Sequence, residues 1–376
     1  MTHEVWVEER IRQGRPPDQA LVAEVAAAQA ATLGRGGVAA AAESLASEVL
    51  GLGPLESCLS DSRVTDILVN GDGAVWLDRG SGLERSVVEL ADAATARRLA
   101  VRLAGMAGRR LDEGQPWVDG LLPGGVRLHA VLPPLVEGGA HLSLRIPRVQ
   151  AQGLAALRDA GMFGAWGEDL LGALMAARRS FVVTGGTGCG KTTVLAGMLA
   201  EVPVGERIVV VEDVRELSVG HPHVVRLQGR GANVEGQGRV TLVDLVRQAL
   251  RMRPDRLVVG EVRGAEVREM LAALNTGHEG GCGTVHANTP KDVPARFEAL
   301  GALAGLGREA LQSQLASAVQ AVVHVARRGR VRVVESISVL VPLPEGVGCV
   351  CAAELQTQTK GEGWGRLAAL LGEQPC

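Results

Sequence analysis

The residues Gly185-Gly186-Thr187-Gly188-Cys189-Gly190-Lys191-Thr192 have the spacing G-x-x-x-x-G-K-[ST], a pattern able to hold polyphosphate. Its glycines let successive backbone N–H groups turn inward, and the N-terminus of a following helix adds partial positive charge. Lys191 would reach the β- and γ-phosphates, the Thr192 hydroxyl would ligate Mg²⁺, and Thr193 extends the cradle. The competing reading is a glycine-rich turn before a core helix. Context argues against it: Phe181-Val182-Val183 reads as a buried strand, and Val194, Leu195, Met198 and Leu199 share one side of a helix. A nucleoside triphosphate site is the expectation.

Phosphoryl transfer also needs carboxylates at strand ends near the loop to manage Mg²⁺ and the attacking water. Glu261 ends the apolar run Leu257-Val258-Val259-Gly260, and Glu212-Asp213 ends Ile208-Val209-Val210-Val211. Each could instead be a solvent-facing strand cap. Two acids ending two buried strands beside a phosphate loop favour chemistry. Glu212 is expected as general base and Glu261 as the metal-side residue, a division the sequence leaves open. Downstream, in TGHEGGCGTVHAN, His278, Cys282 and His286 have a four-residue spacing that would suit metal ligands on a helix. The glycines at 277, 280, 281 and 283 oppose a helix. A loop followed by a strand is expected, aiming His286, and with it His278, at the γ-phosphate.

The elements that must position these groups follow from pattern. Residues 1–50 read as a helical extension, Ala-rich and broken near Gly34-Arg35-Gly36-Gly37. Residues 51–150 read as a small α+β domain. Strand-like 64–69 and 74–77 flank the turn Asn70-Gly71-Asp72-Gly73, with further strands over 83–89, 126–132 and 141–146 and a helix over 95–106. Residues 147–167 read as linker plus a short helix, and residues 151–376 as the nucleotide domain. There, strands over 181–184, 207–212, 223–227, 257–261 and 283–287 alternate with helices over 241–251 and 265–274, which argues a mostly parallel sheet covered on both faces. Residues 321–340 read as an antiparallel hairpin around Arg328-Gly329-Arg330. A tail is expected from about 345, loosely held beyond Gly361.

Bulk properties exclude other classes. A net charge of −3 gives no electrostatic case for nucleic acid, and with aromatics at 2% of the chain and Tyr absent, base-stacking platforms are not expected. The six cysteines form no C-x-x-C pair, so neither a disulfide framework nor a zinc site is expected, and a reducing cytosol suits them. The N-terminus, with Glu4, Glu8 and Glu9, has no signal-peptide core, and no apolar run is long enough to span a bilayer.

The ordered motifs carry a resemblance. The phosphate loop, Glu212-Asp213 with Glu216-Leu217, LRMRPDRLVVGEVRG and TGHEG…TVHAN occur in the order of the Walker A, Asp box, Walker B and His box of the type II/type IV secretion ATPases. GRRLDEGQPWVDGLLPGGVRLHAVLPP and GLGPLESCLSDSRVTDILVN look most like the CpaF/TadA branch, which powers tight-adherence pili. The resemblance covers about residues 50–345 and implies a RecA-like ATPase domain behind an N-terminal domain, in a cytoplasmic, hexameric ATP hydrolase. Nucleotide would sit between the two domains, and the motor would act at the inner face of the membrane. It would turn a polytopic inner-membrane platform protein and so move pilin indirectly, with no direct nucleic-acid contact. Arginines of the N-terminal domain serve such sites, and the matching positions are Arg127 and Arg145, with Arg110 weaker; Arg226 and Arg230 are further candidates. Glu279 stands where Asp is commoner, and Cys189 replaces a commoner Ser or Ala, with a thiol expected to make the site sensitive to oxidation or alkylation. Two rivals remain: the same engine moving DNA–protein cargo in conjugation or type IV secretion, and a nucleotide-dependent scaffold or switch with little turnover.

Overall fold

The computed structural model describes residues 23–24, 46–47, 50–61, 63–80, 82–146, 153–231, 237–329, 331–344 and 346–372. The helical extension expected over residues 1–50 lies almost wholly outside them. The chain divides into two compact units, Met1–Arg148 and Val149–Cys376.

In the first unit, β1 (Asp66–Val69), β2 (Ala74–Asp78), β3 (Leu83–Glu89), β4 (Trp117–Leu121), β5 (Arg127–Val131) and β6 (His141–Arg145) form one sheet in the order β3-β2-β1-β6-β5-β4. Every pair is antiparallel. The β1–β2 turn works as its sequence suggests. Gly73 adopts φ +89° and its N–H donates to the Asn70 carbonyl, while Asp72 accepts from the Ala74 N–H at 3.0 Å. Helix α1 (Ala93–Met106) is capped by Asp92, which accepts from the Thr95 N–H at 2.6 Å. Its Ala96, Leu99, Ala100 and Leu103 join Leu128, Ala130, Leu142 and Leu144 in one core. Strand β4 is absent from the sequence reading because Asp119 and Gly120 interrupt its alternation, and within it only Val118 is buried.

The second unit contains helices α2 (Leu154–Asp159), α3 (Ala165–Ala176), α4 (Lys191–Ala200), α5 (Leu242–Leu250), α6 (Val267–Asn275), α7 (Val293–Leu303), α8 (Arg308–Ala318) and α9 (Trp364–Leu371). Its strands are β7 (Phe181–Thr184), β8 (Ile208–Glu212), β9 (Val224–Gln228), β10 (Arg256–Val262), β11 (Cys282–Val285), β12 (Ala321–Arg328), β13 (Val331–Leu343), β14 (Gly346–Glu354) and β15 (Thr359–Lys360). They lie in the order β15-β14-β13-β12-β7-β11-β10-β8-β9. From β12 to β9 each pairing is parallel; from β12 to β15 each is antiparallel. This is the α/β architecture the alternating pattern implies. The runs of β7 and β8 are buried throughout because both faces are covered. Val183 and Val210 point into a core with Leu171, Val194 and Met198, while Val182 and Val209 point into the opposite core with Val246, Leu271 and Phe297. Helix α5 starts one residue later than its pattern because Thr241 and Asp244 form a reciprocal capping box.

The C-terminal reading needs correction. Residues 346–372 are not a tail: β14 pairs with β13 from Gly346 to Glu354, with one register shift. Beyond Gly361, α9 docks, with Leu367 and Ala368 buried, and Arg179 Nε donates to the Leu370 carbonyl at 2.6 Å. Trp364 stacks on Trp166, with ring centroids 5.8 Å apart, and Lys360 Nζ lies 4.5 Å from the Trp364 ring. Gly361 and Gly363 disguise this element as a breaker region, and α9 is too short to show a long period. Trp364→Ala is expected to lower stability by about 2 kcal/mol, since it removes a stacked, partly buried aromatic. Denaturant unfolding checks this; a change below about 0.5 kcal/mol, the range of ordinary surface substitutions, would mean that α9 contributes nothing to the fold.

Candidate functional site

The phosphate-loop motif occupies the turn between β7 and α4. Gly185, Gly188 and Gly190 have φ of +148°, +70° and +105°, backbone conformations that favour glycine and that a phosphate-cradling loop uses to turn its N–H groups inward. Gly185 also has no room for a side chain, because a Cβ there would overlap the Val325 carbonyl and approach Cys189 Sγ to 2.7 Å. Gly190 is the N-cap of α4 and supplies no side-chain hydrogen bond to its first turn, leaving the N-terminal N–H groups to face an anion. Lys191 Nζ donates to the Gly185 and Gly186 carbonyls at 3.0 and 2.9 Å, so the ammonium is folded over the loop. Thr192 and Thr193 are half-buried on the first turn of α4.

Two neighbouring strands set what faces this loop. β11 pairs with β7 so that Val285 aligns with Thr184, which carries His286 level with Gly185. The buried Thr184 hydroxyl donates to the Ala287 carbonyl at 3.4 Å, tying the end of β7 to the residue after His286. The loop-then-strand reading of TGHEGGCGTVHAN is the observed one. Three of its four glycines are close-approach positions: a Cβ on Gly283 would lie 2.6 Å from the Val259 carbonyl, one on Gly281 would overlap Leu274, and one on Gly280 would overlap Arg256. Cys282 is fully enclosed, and burial pushes its thiol up to about 12. Among the described residues no group of three His, Cys, Asp or Glu side chains could hold a metal ion by itself. His278 and His286 are both half-buried.

Because β8, β10, β11 and β7 run parallel, their C-terminal ends share one edge of the sheet, and Glu212 and Glu261 lie on that edge with the phosphate loop. Their surroundings differ. Glu212 is 4% exposed, and its Oε1 accepts the N–H groups of Glu216 and Leu217 at 3.1 and 2.9 Å. The acid thereby organises the very stretch, Glu216-Leu217, that marks its motif. Gly260 makes the space: a Cβ there would lie 2.5 Å from Glu212 Cγ and 3.0 Å from Oε1. The Thr284 hydroxyl donates to the Gly260 carbonyl at 2.6 Å and fixes that glycine from the other side. Glu261 is more open and pairs with Arg263, and this contact is the chief cause of an upward shift of the guanidinium. Beside them, burial pushes the Asp213 carboxyl up, with Glu266 adding to the shift and Arg263 opposing it.

In the first unit, Arg127 and Arg145 are direct cross-strand partners on β5 and β6, on the face opposite Leu128 and Leu144. Two like charges set side by side are unfavourable without negative charge nearby, and Arg145 Nε lies 3.9 Å from Asp66 Oδ1. Arg110 is paired with Asp112. Arg226 lies on β9, and Arg230 Nε donates to the Gly238 carbonyl at 2.9 Å. Sequence reasoning passed over Gly260, Thr284 and Arg263, although Gly260 and Arg263 flank Glu261 within its motif. The expectation for Cys189 is overturned: the side chain is 3% exposed, and burial raises its thiol above the ordinary value, so it is protonated and shielded.

A parallel sheet whose central strand ends in a phosphate loop capping a helix defines a P-loop nucleoside triphosphatase. Residues 48–360 match the family described as type II/IV secretion system protein, and the chain belongs to that family, whose members are ATP hydrolases. Over 299 residues it is 59% identical to a Mycobacterium tuberculosis (strain H37Rv) protein whose name provisionally assigns it to conjugal transfer; the match covers 77% of this chain and 85% of that protein. It is 32% identical over 290 residues to the conjugal transfer protein TrbB of Rhizobium radiobacter, covering 74% of this chain and 84% of TrbB. The solved structure of the pilus retraction motor PilT with bound ADP shares the fold, with a TM-score of 0.54 and 21% identity over 80% of this chain and 81% of that one. Among the described residues no helix is long and apolar enough to cross a membrane.

The Gly260–Glu212 contact can be tested as a coupling. Gly260→Ala is expected to destabilise by about 1–3 kcal/mol through overpacking. In a Glu212→Ala background, which vacates the space, the same substitution should cost less than about 0.5 kcal/mol. Equal costs in both backgrounds, measured by denaturant unfolding, would contradict the contact.

Proposed function

We propose that this chain is the ATP-hydrolysing motor subunit of a secretion system that moves conjugative, DNA–protein cargo. The observation that carries the reading is the convergence on one sheet edge of the phosphate loop, His286, Glu261 and the anchored Glu212, in a chain 59% identical to a protein assigned by name to conjugal transfer. The loop N–H groups with Lys191, Thr192 and Thr193 hold the phosphates of ATP. The Thr192 hydroxyl and the Glu261 carboxylate, both hard oxygen donors, fit Mg²⁺, which takes few protein ligands and keeps a shell of water and phosphate. Bound Mg²⁺ would neutralise charge on the β- and γ-oxygens. Glu261 must then exchange Arg263 for the metal side. Glu212, its rotamer fixed by the Glu216 and Leu217 N–H groups, orients and deprotonates the attacking water. His286 contacts the γ-phosphate. Arg127 and Arg145, adjacent across β5 and β6, supply the paired positive charge that a phosphoryl transition state needs.

On this reading the chain works as a homo-oligomer, a hexamer as in the family it resembles, at the cytoplasmic face of the membrane, where it drives a membrane-embedded platform. A second reading keeps the engine and changes the cargo: the CpaF/TadA-like stretches over residues 51–70 and 108–134 favour a tight-adherence pilus, with pilin moved indirectly. The names of the relatives favour the first.

Turnover per subunit is expected to rise with protein concentration as the oligomer forms, read by ATPase assay beside light scattering. Arg127→Ala or Arg145→Ala should lower kcat by about 10²-fold or more, the scale of removing one charge-stabilising donor, while nucleotide affinity changes far less. An equal loss in both constants would contradict the arginines' role, and tight binding without turnover in any oligomer would favour a switch. For cargo, a host carrying Lys191→Ala should lose conjugal transfer. A host that loses surface filaments and keeps transfer would make the pilus the correct cargo.

A further inference from the structure

The β12–β13 hairpin brings a second cation to the phosphate loop. β12 runs parallel to β7 with His324 opposite Thr184, then continues four residues further, so that its Val325 carbonyl lies against Gly185. The chain reverses at Gly329 and returns as β13, placing Arg332 directly across from Arg327. Arg328 is committed to Glu335. The Arg332 stem lies beside the loop: its Cδ is 3.4 Å from the position a Cβ on Gly190 would take, and Met162 Cε is 3.8 Å from the same point. Its charge, with that of Lys191, reaches the Cys189 thiol and opposes the effect of burial there.

The strand bearing Arg332 is held firmly. The Val334 N–H donates to the Met162 carbonyl at 2.9 Å, and Gln356 Nε2 donates to the Met162 and Val334 carbonyls at 3.1 and 2.9 Å. Val333 and Val334 are buried, so Arg332 is half-buried on a fixed backbone rather than at the end of a free loop. The two cations bracket the loop. Lys191 Nζ is folded over its first residues, Gly185 and Gly186, whereas the Arg332 stem lies beside its last, Gly190, at the N-cap of α4. A polyphosphate wrapped in such a loop puts its terminal phosphates under the lysine, and its α-phosphate and ribose toward the first turn of the helix. Met162 gives that end an apolar wall.

We propose that Arg332 is a nucleotide-positioning residue that holds the α-phosphate and ribose end of the bound nucleotide, beside Met162. This rests on nucleotide binding at the phosphate loop. Since ATP and ADP share that end, the arginine contributes to both, unlike a group that senses the γ-phosphate. A guanidinium can grip a phosphate with two donors where an ammonium offers a point charge, so lysine should replace it only in part.

The test is calorimetric titration of full-length protein with ATP (in a non-turnover buffer holding Ca²⁺) and with ADP, for the parent, Arg332→Ala, Arg332→Lys and Lys191→Ala. Arg332→Ala is expected to weaken ATP and ADP alike by about tenfold, the scale of one charge-assisted contact, with Arg332→Lys between. Weakening of ATP alone, or of neither nucleotide, would overturn the proposal. If Arg332→Ala lowers the nucleotide-free melting midpoint, Arg332→Gln, which keeps most of the stem, gives the reading instead. Lys191→Ala separates the two levels. If it binds as tightly as the parent, the nucleotide site itself is wrong; if it is weakened while Arg332→Ala is not, only the arginine's part fails.

Discussion

Strand β7 is hydrogen-bonded in parallel register to β11 on one side and to β12 on the other, and all four of its residues are buried. That double register fixes where the phosphate loop begins. It sets Gly185 beside the Val325 carbonyl, where only glycine fits, and it sets His286 level with the same residue. The Thr184 hydroxyl closes the arrangement by donating to the Ala287 carbonyl. A slip of one residue in either pairing would reverse every side chain on β7 between the two cores and carry the loop away from its neighbours. The apolar burial that specifies the sheet therefore also specifies the site, because Val182 and Val183 each fill a different core.

A second constraint acts further along the same edge. Glu212 is nearly sealed from solvent, a costly place for a carboxylate unless donors meet it. The N–H groups of Glu216 and Leu217 meet it, and Gly260 leaves the volume it occupies. Thr284 on β11 holds the Gly260 carbonyl, so three adjacent strands cooperate to place one acid. Glu261, one residue beyond that glycine, is exposed enough to exchange partners and is balanced by Arg263. One acid is fixed and the other adjustable. This contrast fits a site in which water must be oriented tightly while a hydrated metal comes and goes with its nucleotide.

Much of this was legible from residue types. The phosphate loop, the two acid-ending strands and the glycine-rich loop before β11 were readable because buried parallel strands are short apolar runs, and because glycines mark close approaches. The parallel sheet followed from the same runs. What escaped had weak local signals. β4 alternates poorly across Asp119 and Gly120, and α9 follows two glycines. The adjacency of Arg127 and Arg145 depends on the register of β5 with β6, which no spacing of 18 residues along the chain reveals. Arg332 is invisible for the same reason: it reaches the loop from a hairpin about 140 residues downstream, through pairings that only the assembled sheet creates. Cys189 looked reactive from its motif, yet the core packing behind the loop leaves it buried.

The most direct measurement is single-turnover hydrolysis of ATP, with equilibrium binding measured alongside, for the parent, Glu212→Gln and Glu261→Gln. Both variants keep the size of the side chain and its ability to accept hydrogen bonds while removing its negative charge. The expected result is that Glu212→Gln retains ATP binding and loses hydrolysis by about 10²-fold or more, the scale of removing a general base. Glu261→Gln should lose activity with a raised requirement for Mg²⁺. Hydrolysis by Glu212→Gln at the parental rate would contradict the assignment of the anchored acid as the base and, with it, the account of how this sheet edge does its chemistry.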